Sequence, residues 1–307
     1  MERIAARLAG LAAEIRDRHT GSILKAGLLI VVAGGLWMTF DNLQGRVHAL
    51  PRYERPLVLE WENLPDWLQL PDNQHILDSL AKEVALSPND RQLDVELACR
   101  IGLKLSATDI GWIRQVQRVR VRPDGVVSVR CEFRRPAAWV KHGGYCYLVD
   151  HEAVRLPGRY DASDCQGTAL MTLKGVVTSP PNVGETWSGA DLSSGLRLVS
   201  LLDNKAFRHQ VTSVIVANHS GRLDPTKPYV ELATDRPGSR IWWGRPPEQE
   251  FGTEITATQK ITLLETLYRQ WGRIDMGRQY VNITTWPDRV AMPTVVKSPT
   301  PERLLRS

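Results

Sequence analysis

Between Arg118 and Arg134 the side chains change character at every second residue, and that period constrains the chain more than any other feature in it. Val119 and Val121 alternate with Arg118, Arg120 and Arg122; after Pro123-Asp124-Gly125, Val127, Val129, Cys131 and Phe133 alternate with Ser128, Arg130, Glu132 and Arg134. Successive side chains on a strand point to opposite faces, and Pro-Asp-Gly is turn chemistry. The segment therefore predicts a β-hairpin with one apolar wall and one cationic face carrying Arg118, Arg120, Arg122, Arg130 and Arg134. Like charges stacked across strands cost stability unless the face is wet or an anion offsets them. Anionic lipid, cell-wall polymer or an acidic partner would each serve.

Upstream, Leu57-Val58-Leu59 reads as a short strand. Ile76, Leu77, Leu80 and Val84 fall at helical spacing between Asp72 and Leu86, with Pro88 as a stop, and Leu93, Leu97 and Ile101 mark a second helix ending near Gly102. Strand, helix, helix, strand, strand is a small α+β unit with helices on one face of a three-stranded sheet. Downstream the pattern is β-rich. Ala138-Trp139-Val140 and Tyr145 to Val149 flank His142-Gly143-Gly144 as a hairpin, and further strands are expected at Val211–Ala217, Tyr229–Ala233, Ile241–Trp243 and Tyr280–Thr285. Thr256 and Gln259 form a capping box ahead of Ile261, Leu264, Leu267 and Trp271, which share one helical face. Ser298 to Ser307, rich in proline and mixed charge, reads as a disordered tail.

Thr20 to Phe40 is uncharged apart from Lys25, which is long enough for one spanning helix if the lysine snorkels to the headgroups. The leader is too long and Val47-His48-Ala49 too poor a cleavage match for a signal peptide, so an uncleaved anchor is expected. Arg3, Arg7, Arg16, Arg18 and Lys25 before or within it, against Arg46, Arg52 and Arg55 after it, place the N-terminus in the cytoplasm and the bulk outside. Ile4, Leu8, Leu11 and Ile15 make residues 1–19 a short amphipathic head, and residues 41–56 a linker.

A formal charge of +5 is mild for 307 residues, and no zinc-finger, RNA-binding or recognition-helix pattern accompanies it, so nucleic acid is not an expected partner. Cys99, Cys131, Cys146 and Cys165 show no C-x-x-C spacing; they allow two disulfides by three pairings, or remain as buried thiols. Nucleophile-elbow, zinc-helix, phosphate-loop and calcium-loop motifs are absent from the sequence. His75, His151, His209 and His219 sit in polar or turn-like settings, and Asp161 and Asp164 lie where turn chemistry also places aspartates. The reading is a non-enzyme with no catalytic residues, cofactor, metal or small-molecule substrate.

The run Trp112-Ile113-Arg114-Gln115-Val116-Gln117-Arg118-Val119-Arg120-Val121-Arg122-Pro123-Asp124-Gly125, continued by Arg134-Arg135-Pro136-Ala137-Ala138-Trp139 and Tyr147-Leu148-Val149-Asp150, resembles the bacterial division proteins of the FtsQ/DivIB family. Leu170 to Gly175, a helix from about Asp191 to Leu202, a helix from Thr258 to Trp271 and the ending Tyr280 to Val290 follow in the family's order. The resemblance implies a transmembrane helix at 20–40, a POTRA-like βααββ domain at 57–136, a β domain at 137–297 with a C-terminal helix and closing strands, and a tail at 298–307. It implies a single-pass inner-membrane scaffold at the division site that recruits FtsB- and FtsL-like proteins. Pro287 discourages further pairing after the last strand, so an edge strand carrying Tyr280, Asn282, Thr284, Trp286, Arg289, Met292 and Val295 is the expected partner surface. A POTRA-bearing secretion or assembly component, and a membrane-tethered cell-wall hydrolase, are the alternative readings.

Overall fold

The computed structural model describes residues 29, 31–39, 56–87, 90–92, 94 and 96–285. They form a mixed α/β chain with one sheet of three strands and one of eight. Of the described residues, those up to 62 with 84–102 and 118–130 make one compact unit, and those in 63–83, 103–117 and from 131 onward make the other.

The small sheet consists of β1 (Val58–Glu62), β2 (Ile113–Val121) and β3 (Val126–Phe133), and the helices α1 (Gln74–Val84) and α2 (Leu97–Leu105) separate β1 from β2 in the chain. Its strand order is β1-β3-β2, with β1 parallel to β3 from Val58 opposite Val126 to Glu62 opposite Arg130. Gly125 closes the β2–β3 turn at φ 88°, a left-handed conformation that favours glycine. Ile76, Leu77, Leu80 and Val84 are buried on α1, and Leu97, Ile101 and Leu105 on α2. The second helix continues through Gly102 rather than ending there. A Cβ at Gly102 would lie 3.7 Å from Val119 Cγ2, which places this turn of α2 directly against β2. Leu93 and Pro88 lie outside the described residues.

The large sheet comprises β4 (Ala138–His142), β5 (Tyr145–Val149), β6 (Tyr160–Asp161), β7 (Met171–Lys174), β8 (Val211–Ile215), β9 (Val230–Thr234), β10 (Arg240–Gly244) and β11 (Tyr280–Asn282). They run in the order β11-β10-β9-β8-β7-β4-β5-β6. Parallel neighbours need a crossover, and helices supply two of them: α3 (Ala190–Asp203) joins β7 to β8 and α4 (Ala257–Trp271) joins β10 to β11. The capping box of α4 forms, with Thr256 Oγ1 accepting from the Gln259 N–H and Gln259 Oε1 from the Thr256 N–H, and Gly272 ends the helix at φ 67°. Val140, Leu173, Val214, Leu232, Ile241, Trp243 and Val281 point to one face of the sheet, where they share a core with Leu192, Leu196 and Val199 of α3 and Ile261 and Leu264 of α4. Each such side chain contributes roughly 1.5–3 kcal/mol by leaving water.

The expected fold and location both require correction at the N-terminus. Among the described residues no helix is long and apolar enough to cross a membrane. The described residues of the expected span, 29 and 31–39, are helical. Gly34 and Gly35 in that run also favour helix less than any residue but proline. The expected single-pass inner-membrane fold, and the localisation built on it, are thus contradicted by the described structure. The head at 1–19, residues 20–28, 30 and 40 of the expected span, the linker up to 55 and the tail at 298–307 lie outside the described residues.

Candidate functional site

The five arginines expected on one cationic face have different surroundings. Arg118 donates to Glu62 Oε2 at 3.0 Å, and Arg122 to Glu60 Oε2 at 3.2 Å and Asp124 Oδ2 at 2.7 Å. Glu62 is the register partner of Arg130. The hydrogen bond from Arg118, then that from Ser128, hold the Glu62 carboxyl below its ordinary range, with the Arg130 charge adding to them. Arg134 bonds Asp150 Oδ2 at 2.7 Å and Glu152 Oε2 at 2.9 Å, and Asp150 Oδ1 in turn accepts from the N–H groups of Glu152 and Val154. Arg120 alone of the five is exposed with no acidic partner among the described residues. Parallel pairing of β1 beside β3 brings Glu60 and Glu62 in among the arginines. Glu60 and Glu62 alternate within VLEWE, a short signal that could have been read, but their partner strand lies over 60 residues away.

At the other expected surface, β11 ends the large sheet and pairs, among the described residues, only with β10. Val281 points into the core, whereas Tyr280 stands exposed with its ring 6.1 Å from that of Trp242. Asn282 Oδ1 accepts from both the N–H and the Oγ1 of Thr284, at 2.9 and 2.8 Å, a turn that finishes the strand. Tyr280, Asn282 and Thr284 are thus brought together. Trp286, Arg289, Met292 and Val295 lie outside the described residues. Beside the strand runs a cleft of about 280 Å³, lined by Trp242, Arg245, Phe251, Asn282 and Thr284 among others. The Arg245 guanidinium lies over the rings of Tyr229 and Phe251, 5.3 Å from each, and Phe251 is largely exposed. Exposed aromatics thus lie beside a strand border that is unpaired among the described residues. Phe251 and Arg245 were not evident in the sequence, because the loop before α4 carries no period.

Groups with chemical potential elsewhere are used structurally. Ser194 Oγ lies 3.1 Å from His219 Nε2, and Ser220 Oγ 3.1 Å from His219 Nδ1, with Ser194 and His219 both buried. Asp191 does not orient this ring; its carboxylate takes Arg222 at 2.9 Å and the N–H groups of Val177 and Leu192. Burial works against the Asp191 charge, but those partners outweigh it and hold the carboxyl below its ordinary range. Burial holds the His219 imidazole below its ordinary range too. The cluster ties the start of α3 to the 216–222 turn. Asp164 Oδ2 accepts from the Asp161 N–H, so that pair is turn chemistry. Cys146 and Cys165 form a disulfide, leaving Cys99 exposed and Cys131 buried, its thiol pushed up to about 12 by burial. Among the described residues, no group of three or more His, Cys, Asp or Glu side chains is placed to hold a metal ion.

No protein-family model matches the chain, and comparison with curated proteins finds none similar to it.

Proposed function

We propose that the chain is a non-enzymatic recruitment scaffold of the FtsQ/DivIB kind, in which a POTRA-like βααββ part precedes a β domain that binds small FtsB- or FtsL-like division proteins. The partner adds an extended segment to β11 and seats one bulky side chain in the cleft between Trp242, Phe251 and Thr284. The observation that carries this reading is the position of β11 at the end of the eight-stranded sheet, next to that cleft. Main-chain hydrogen bonds would supply affinity and the cleft specificity. The order of β1, α1, α2, β2 and β3 ahead of the large sheet also supports it.

The test is site-specific photo-crosslinking to a purified FtsB-like partner, with the crosslinker at Tyr280 or Asn282 and, as control, at Asp161 on the opposite border. Capture from the first two positions and not the third is expected, and Phe251→Ala should weaken it roughly tenfold. Equal capture from Asp161, or none from β11, would refute the reading.

A further inference from the structure

The face of the large sheet opposite α3 and α4 carries a groove of about 1010 Å³. Across the sheet, two registered rows of side chains point to this face. One runs Trp139, Thr172, Ser213, Ala233, Arg240, and the next Lys141, Lys174, Ile215, Glu231, Trp242. Lys141 and Lys174 are direct register partners on parallel strands, which puts two ammonium-bearing side chains on backbones only about 4.8 Å apart. Like charges opposite one another destabilise a sheet.

Other basic residues lining the groove are already engaged. Lys205 pairs with Glu265 at 3.0 Å, Arg208 bonds the carbonyls of Ala169 and Val211, and Arg236 bonds the carbonyl of Gly277. Lys141 and Lys174 have no bonded partner among the described residues, and Arg240, which donates to the Ser239 carbonyl at 3.0 Å, forms no salt bridge among them. The one carboxylate in the lining, Asp235, is held by Arg273 at 2.6 Å. On the floor, Thr172 and Ser213 are 6% and 3% exposed, yet neither hydroxyl bonds to another described residue. Both hydroxyls line the groove on the same face as Lys141 and Lys174, where they can donate to a ligand.

We propose that this groove is a binding site for a phosphate-bearing ligand. Lys141, Lys174 and Arg240 supply the charge, and the Thr172 and Ser213 hydroxyls donate to the phosphate oxygens. Short hydroxyls at the floor suit a compact oxyanion, and ammonium groups bind phosphate as point charges. Both walls are fixed in advance. The 162–170 loop is held by the Cys146–Cys165 disulfide and by the Trp139 Nε1 bond to Thr168 Oγ1 at 3.0 Å, and the 235–238 turn by Arg273 and Gly277. Such preorganisation lowers the cost of binding. Burial, then the charges of Lys141 and Arg240, hold the Lys174 ammonium below its ordinary range, a strain that an anion would relieve.

Titration of the full chain with inorganic tripolyphosphate by calorimetry tests this, with polyglutamate as comparator. Saturable binding that weakens with salt and exceeds that of polyglutamate is expected. Lys141→Gln and Lys174→Gln should each lower affinity roughly tenfold, and Thr172→Val roughly fivefold. Without ligand, Lys174→Gln should melt no lower than the parent, since it removes a like-charge contact, and this separates lost binding from lost folding. Absence of tripolyphosphate binding, equal affinity in the folded double lysine variant, or tighter binding of polyglutamate would overturn the proposal. So would tripolyphosphate binding that Arg120→Glu abolishes while the lysine variants retain it.

Discussion

Both sheets carry rows of basic residues, and they dispose of the charge in different ways. On the small sheet the partly exposed Arg118 and Arg122 meet Glu62 and Glu60 of the parallel strand β1, while Arg120 is left to solvent, so charge there is either paired at the surface or hydrated. On the large sheet charge is either sealed or left unmatched. Lys260 of α4 is 0% exposed, bonded to Glu254 Oε1 at 2.7 Å and lying 5.1 Å from the Trp243 ring centroid, while Lys141 and Lys174 face each other in the groove. The number of arginines and lysines on a strand is therefore a poor guide to function. What decides is whether the sheet order places acids beside them and how much water remains.

The sharpest way to break this contrast is Glu254→Gln. Burial lowers the Lys260 ammonium, and the Glu254 hydrogen bond and charge oppose that; Glu254 Oε1 also accepts the Arg245 N–H at 2.7 Å. Removing it should cost about 3 kcal/mol in urea denaturation, because a buried cation loses its partner. Next in size, Cys165→Ser opens the 19-residue separation closed by Cys146–Cys165 and should cost about 2–3 kcal/mol. Reductant should destabilise the parent by a similar amount and leave the variant unmoved.

A pH series separates the two sheets again. His219 has a lowered folded value, so below its ordinary 6.5 the unfolded chain takes up a proton that the native state resists. Stability should fall as pH drops from 6.5, and His219→Gln should flatten that slope. Asp191 is also lowered, so its contribution is present above its ordinary 3.8 and is lost as pH falls below it. The smallest effect belongs to the small sheet: Glu60→Gln should cost only about 0.5 kcal/mol and nothing at high salt, as the Arg122–Glu60 pair is about half exposed on both sides. A loss comparable with that of Glu254→Gln would erase the distinction.

Much of the local structure was legible beforehand. The alternation from Val119 to Phe133, the Pro-Asp-Gly turn, the stripe of α1, that of α4 as far as Leu267 and the Thr256–Gln259 box all depend on residues a few positions apart, whereas Trp271, expected on the same face of α4, is exposed. The apolar run at 20–40 shows the limit of that approach, since length and hydropathy alone pointed to a span, whereas no helix among the described residues is long and apolar enough to cross a membrane. At the candidate site, Tyr280, Asn282 and Thr284 could be read from an ending strand followed by Pro287. The cleft beside them could not, because Phe251 and Arg245 arrive from a loop.

By itself the sequence determined most of the strands and helices whose side-chain period and turn chemistry act over one or two turns of chain, but not β6, and β7 and α3 only through the family resemblance. Only the tertiary structure decided that β1 lies parallel to β3 and supplies acids to its arginines, that Cys146 meets Cys165, and that Lys141 stands opposite Lys174. Those outcomes depend on strand order, and strand order is set by burying the apolar faces of distant segments against one another. No local pattern encodes which charges that burial will bring together.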